Sequence, residues 1–422
     1  MSAARARARP AAEAPPRSRP GPRLRGPGDS RFATRGQAAA LAAVERMIRA
    51  GAPQALLLVG PPSIGKTTLA LDLAAGLLCH ADDPSVRPCG TCRSCRLIDA
   101  GEHQDLHRLA PEGPGRQVRI GDPEDPDPGT VRHLIRELAR LPVEGTHRVA
   151  LVEGAHRLNE DAQNALLKTL EEPPPGATLI LCADEPERLL PTVRSRTAVL
   201  RLGPVGIRAM EELLAEHGVE APRSARLARL ADGRPGLALA LAAAPEAVAA
   251  REELARSLLD LTDLGTAERL LAGRDLLARS ADLARLGGAP GDVAPVAAPS
   301  DGRNPGALEL DGDVRPARGT PAERRLAAAA LLATWTAVAR DVAVVAAGSR
   351  SAVRDPALLD DLDAVASRMP VGAPAAFAGR LVRAAELLEM NANPELLVDV
   401  LVLAWPRAAA AAAAGDAGGR IP

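Results

Sequence analysis

Gly60, Pro61, Pro62, Ser63, Ile64, Gly65, Lys66 and Thr67, with Thr68 behind them, match the spacing G-x-x-x-x-G-K-[ST]. In such a loop, backbone N–H groups wrap phosphates, the lysine reaches the outer phosphates and the hydroxyl after it ligates Mg²⁺, so the stretch is expected to take ATP or ADP with Mg²⁺. Of the 52 basic residues only two are lysines, Lys66 and Lys168, and the rest are arginines. A compact ammonium placed where a planar guanidinium fits poorly is no surface accident. Hydrolysis at such a loop also needs a carboxylate for the metal and usually a second one to orient water. The apolar run Val149 to Val152 ends in Glu153 and Gly154. Glu153 is suited to the metal; Gly154 has no side chain to polarise water, unless Glu160 or Asp184 supplies the base. Nucleotide binding therefore reads as intact and turnover as crippled.

A second constellation follows at once. Cys79, Cys89, Cys92 and Cys95 form C-x9-C-x2-C-x2-C, with His80 and His103 as nearby substitutes for a ligand. Four thiolates suit tetrahedral Zn²⁺, and four protein ligands leave no open position, so the expected zinc is structural. An iron–sulfur cluster or unrelated free thiols are the alternatives. Cys182 lies in another apolar run and reads as a small core residue.

Elements must position these groups. Leu41, Val44, Met47 and Ile48 fall at helical spacing, with Gly51 closing the helix. Leu56 to Val59 predicts a buried strand before the loop, and Leu69 to Leu78 a helix after it. Val149 to Val152 and Thr178 to Cys182 predict two more buried strands, separated by a helix from Asn159 to Leu170 that stops at Pro173. Strand and helix alternating in this way predict a doubly wound parallel α/β domain. From Gly206 onwards the chain reads as Ala/Leu/Arg helices, with Trp335 and Val338 on one face. Residues 1–30 lack large apolar side chains and read as a disordered basic tail, with a DNA-grazing arm as the functional alternative. Residues 287–320 read as a flexible excursion and 408–422 as a second disordered tail.

At 422 residues the chain can hold two or three cores, and a net charge of −1 gives no global pull towards nucleic acid or membrane. Five cysteines in a chain this long are no disulfide framework. No continuous run of about 18 apolar residues occurs, nor the apolar core of a secretory signal, and the expected location is the cytoplasm.

The loop, the cysteine module behind its helix, the run from His156 to Pro174 ending in Leu-Glu-Glu-Pro-Pro, and Ser195 with Arg196 together resemble bacterial clamp-loader subunits of DNA polymerase III. The likeness covers about residues 35 to 262, with weaker support from Trp335 to Asp341 and from Asn391 to Pro394. The resemblance implies an AAA+ P-loop domain over 31–205 with an inserted zinc module over 79–95, a small helical lid over 206–265 and an all-α collar over 266–407. It implies gamma/tau and delta subunits as partners in a hetero-pentamer, and the sliding clamp and primer-template DNA through that assembly. Departures select the branch. Glu153 and Gly154 stand where the motor subunits keep Asp-Glu, Ala183 where they keep a polar sensor, and the stretch Gly233 to Gly236 offers glycine where their lid has arginine. These departures are similar to the delta-prime branch, a stator that hydrolyses little ATP and sends the arginine of its Ser-Arg-Cys motif into a neighbour's ATP site. Here that arginine is Arg196, with Thr197 replacing the cysteine. The alternatives are a gamma/tau-type motor with its own DNA-stimulated ATPase and, more distantly, an AAA+ helicase loader or branch-migration ATPase. Lys168 reads as a solvent-facing helix residue or an interface contact.

Overall fold

The computed structural model describes residues 31–111, 118–285, 320–370 and 372–408. The tail expected over 1–30, the excursion expected over 287–320 apart from Thr320, and the tail expected from 408 apart from Ala408 lie outside the described residues. The first half alternates as the apolar runs require: α1 (Ala38–Ala50), β1 (Ala55–Val59), α2 (Lys66–Leu77), α3 (Arg93–Ala100), β2 (Leu106–Leu109), α4 (Val131–Leu138), β3 (Arg148–Val152), α5 (Glu160–Glu171), β4 (Ala177–Ala183), α6 (Pro191–Arg194) and β5 (Ala198–Arg201). All strands pair in parallel in one sheet of order β2-β3-β4-β1-β5. Every residue of β1, β3 and β4 is buried, as central strands covered on both faces must be. The two edge strands, absent from the sequence reading, are four residues each and mostly solvent-facing or half-buried. The segment carrying Ser195 and Arg196 lies between α6 and the edge strand β5, beyond the strand read from Thr178 to Cys182.

Register brings the strand ends into line. Val59 pairs with Ala183 and Val152 with Leu181, so the segments leaving β1, β3 and β4 emerge on one edge, where open parallel sheets hold their ligands. Local chemistry fixes the helices that flank this edge. Asn159 caps α5 by accepting the Ala162 N–H at 2.9 Å, Glu160 and Asp161 sit in its first turn, and Pro173 and Pro174 follow its end. Gln163 on α5 is buried and ties the next loop down: its amide nitrogen donates to the Arg188 carbonyl at 3.2 Å and its oxygen accepts the Leu190 N–H at 2.7 Å.

The second half is helical: α7 (Ile207–Glu216), α8 (Ala221–Ala231), α9 (Pro235–Ala243), α10 (Pro245–Asp260), α11 (Thr266–Arg285), α12 (Pro321–Ala346), α13 (Leu359–Ala366), α14 (Ala373–Glu389) and α15 (Pro394–Ala404). Val205, Met210, Leu214, Leu227, Leu237 and Leu241 form a small core among α7, α8 and α9. From α10 onwards a second core takes over, with Leu258, Leu331, Val342 and Leu381 around a trio of Trp335, Phe377 and Trp405 whose ring centroids lie 4.9 to 5.7 Å apart. Helix α12 is long and apolar enough to cross a membrane, yet 61% of its most apolar window is buried, which is what a central core helix requires. Between the two cores, Arg226 of α8 pairs with Asp355 at 3.1 Å and with Glu252 of α10 at 2.6 Å, and Arg354 pairs with Asp232 at 2.5 Å.

Candidate functional site

The loop from Gly60 to Gly65 leaves β1 and opens α2, as its motif requires. Its start is pinned to the sheet: the Gly60 N–H donates to the Ala183 carbonyl at 3.3 Å. Ile64 is buried in the core below, whereas Pro61 is exposed and Pro62, Ser63, Thr67 and Thr68 are half-buried. Lys66 is only 7% exposed, and its ammonium donates to the carbonyls of Gly60 at 2.8 Å and Pro61 at 2.7 Å while pairing with Asp184 at 2.5 Å. Asp184 follows β4, so one of the two carboxylates considered as a base stands against the loop lysine; Glu160, the other, is an exposed residue opening α5. His156 packs beside Asp184, its Nδ1 accepting the Asp184 N–H at 3.2 Å, and burial holds its imidazole down to about 4, so it is neutral at pH 7.

Glu153 lies beyond β3 as expected, within reach of the loop: the Thr67 hydroxyl donates to its Oε2 at 3.3 Å. Its other oxygen is taken by a residue that the sequence did not single out. Arg108 of β2 donates to Oε1 from Nη2 at 2.5 Å and from Nε at 3.1 Å. Gly154 has φ of 61°, a conformation in which a side chain is strained, and a Cβ there would lie 3.0 Å from Pro111. The helical side closes over the loop through backbone: the Gly236 N–H of α9 donates to the Ser63 carbonyl at 2.9 Å, and a Cβ on Gly236 would come within 3.1 Å of that oxygen. Arg234, just before α9 and two positions earlier, donates to the Ala231 carbonyl at 2.9 Å.

The four cysteines converge. Cys79 ends the α2 segment, Cys89 and Cys92 lie on the following loop and Cys95 is in α3, with their Sγ atoms all within 4.8 Å of one another. Cys79 and Cys92 sulfurs stand 3.9 Å apart, close to the ~3.8 Å edge of a tetrahedron built on zinc–sulfur bonds of about 2.3 Å. Backbone donors point at the sulfurs: Cys89 N–H to Cys79 at 3.4 Å, Cys92 N–H to Cys89 at 3.3 Å and Cys95 N–H to Cys92 at 3.4 Å. Burial pushes the Cys79 and Cys95 thiols up; at Cys89 it is outweighed by hydrogen bonds from Thr91 and Cys92, which bring that thiol down to about 6. The donor set fits a soft four-coordinate metal such as zinc. His80 and His103 are not part of it: His80 Nε2 meets the Glu144 carbonyl and His103 Nε2 meets Ser94. Cys182 is buried in β4, as a core residue should be.

Arg196 stands apart from both clusters. It lies between α6 and the edge strand β5, its side chain 36% exposed, with Nη2 on Glu171 Oε1 at 2.6 Å and Nη1 donating to the Thr192 carbonyl at 3.0 Å. It is therefore not a residue of this chain's own loop site. Lys168 is exposed on α5.

Residues 36–206 match the family described as DNA polymerase III, delta subunit. DNA polymerase III subunit delta' of Pseudomonas aeruginosa is 37% identical over 189 residues, 44% of this chain and 55% of the relative. The subunit of the same name from Escherichia coli K12 is 39% identical over 189 residues, 44% and 54%. The tau subunit of Escherichia coli K12 is 32% identical over 193 residues, 44% of this chain and 28% of the relative. The chain spans about half the length of the delta' relatives it matches. Over that stretch the resemblance to bacterial clamp-loader subunits, carried by the loop, the cysteines and the His156 to Pro174 run, holds.

Proposed function

We propose that this chain is a delta-prime-type stator of the bacterial DNA polymerase III clamp loader. In this reading it has an AAA+ domain over 31–205, a lid over 206–265 and a collar over 266–407. It works in the cytoplasm with gamma/tau and delta subunits, and through them with the sliding clamp and primer-template DNA. Zinc held by Cys79, Cys89, Cys92 and Cys95 would tie α3 to the end of α2, a structural task with no open coordination position. The residues Gly60 to Thr68 hold ATP or ADP without turning it over, and Arg196 reaches the ATP site of a neighbouring motor subunit.

One observation carries the reading. At the position after Glu153, where a water-activating carboxylate belongs, stands Gly154 in a left-handed conformation with Pro111 against it. Gly154 supplies no carboxylate there, and of the two alternatives Asp184 is engaged by Lys66 while Glu160 is exposed at the start of α5. These features favour a stator over a gamma/tau-type motor. Arg196, out of reach of its own loop and exposed beside an edge strand, is suited to act in trans.

The test is DNA- and clamp-stimulated ATPase of a reconstituted loader containing this chain or its Arg196→Ala variant, with the isolated chain assayed alongside. An arginine finger is worth about 10³-fold or more at the site that it completes. The expected outcome is a silent isolated chain and a variant loader that loses the share of turnover arising at that one site. Brisk hydrolysis by the isolated chain, abolished by Lys66→Ala, would sink the stator reading.

A further inference from the structure

A divalent cation at a phosphate-binding loop needs a loop hydroxyl and a nearby carboxylate. Here both exist, and the carboxylate is engaged on both oxygens. Thr67 donates to Glu153 Oε2, and Glu153 Oε1 takes two donors from Arg108, whose side chain is 24% exposed against 20% for Glu153. The pairing is built into the sheet. β2 and β3 run in parallel with Arg108 opposite Leu151, and the Glu153 N–H donates to the Leu109 carbonyl at 2.8 Å, so the guanidinium and the carboxylate leave adjacent strand ends together. A guanidinium is permanently charged and has no acceptor, so it shares a carboxylate with Mg²⁺ only against like-charge repulsion. Mg²⁺ also demands near-ideal octahedral geometry and surrenders water reluctantly, which makes it a poor competitor for an oxygen held by two charge-assisted bonds.

We infer that Arg108 takes the place of the divalent cation on Glu153, and that the loop binds a nucleoside diphosphate without Mg²⁺. The phosphates would meet the N-terminus of α2, Lys66 and the fixed charge of Arg108. The inference rests on the reading of Gly60 to Thr68 as a nucleotide site, and the measurement separates the two.

ADP is titrated calorimetrically into the full chain in excess MgCl₂ and in magnesium-free buffer. Chelator is avoided, so that the cysteine cluster is left undisturbed. The wild type is expected to bind no more tightly in excess MgCl₂ than without it, and more weakly as free Mg²⁺ draws ADP into its magnesium complex, because the site takes the metal-free diphosphate. Arg108→Gln, which frees Glu153, is expected to bind at least about tenfold more tightly with Mg²⁺ than without it. A wild type weakened about tenfold or more by magnesium removal overturns the inference without reference to any variant. So does an Arg108→Gln protein whose response to Mg²⁺ is the same as the wild type's. If ADP binds and Lys66→Ala loses it, the nucleotide reading stands whatever the metal dependence. If the wild type binds no ADP in either buffer, both fall.

Discussion

Arg196 is held at the surface by partners of its own chain, and the strength of that hold determines what its removal should do. The pair with Glu171 is 36% and 49% exposed on its two sides, and exposed ion pairs are worth about 0 to 1 kcal/mol. Arg196→Ala and Glu171→Gln should therefore leave the thermal midpoint nearly unchanged, a loss of about 0.5 kcal/mol or less. Their effects in an assembled loader should differ. Arg196→Ala removes the charge itself, whereas Glu171→Gln removes only the carboxylate that orients it, so turnover at the completed site should fall by less than about tenfold in the second variant. Calorimetric melting of both proteins, read beside loader ATPase, checks this. A large midpoint shift in either would make the arginine structural.

Arg269 of α11 shows how one side chain secures a whole element. It is fully buried, and its guanidinium donates to carbonyls at the end of α15 and just beyond, Val402 at 3.2 Å and Trp405 at 2.6 Å, and to Leu264 at 3.1 Å. The last carbonyls of a helix have no intrahelical partner and carry the negative end of its dipole, so a cation there serves both needs. Arg269→Ala should cost about 3 kcal/mol or more, since each stranded carbonyl costs about 1 to 3 kcal/mol. Arg269→Lys should recover only part, because a point ammonium cannot span the fork. Urea unfolding followed by tryptophan emission measures it directly, since Trp405 sits in the same cluster and donates to Thr262 at 3.1 Å. Neither this role nor that of Arg108 was legible in the sequence: among so many arginines nothing marks these two, and their partners are set by helix packing and strand register. The central strands were legible because burial on both faces leaves an unbroken apolar run. β2 and β5 were not, because Leu-His-Arg-Leu and Ala-Val-Leu-Arg at a sheet edge need no such run. The loop and the four cysteines were legible because their chemistry depends on spacing along the chain, whereas the engagement of Lys66 by Asp184 depends on which strand end lies beside the loop.

At the scale of the molecule, the cysteine cluster and the two tryptophans lie in different halves, which makes the two halves separately observable. The chain has two tryptophans, two phenylalanines and no tyrosine, and both tryptophans belong to the core built from α10 onwards. The cysteines belong to the α2–α3 corner of the sheet half, far along the chain. Chelation should therefore free one zinc per chain and expose backbone amides of α2 and α3, because closing four thiolates on one ion contributes folding energy locally. Tryptophan emission should not move, because its surroundings of Phe377, Thr262 and Leu331 contain no cysteine ligand. Hydrogen exchange on α2 and α3, recorded beside emission spectra before and after chelation, checks both halves of the expectation. Local opening with constant emission fits a structural metal confined to one corner. An emission shift would mean that the cluster supports the helical half as well, and unchanged exchange would mean that the four thiols hold no structural ion.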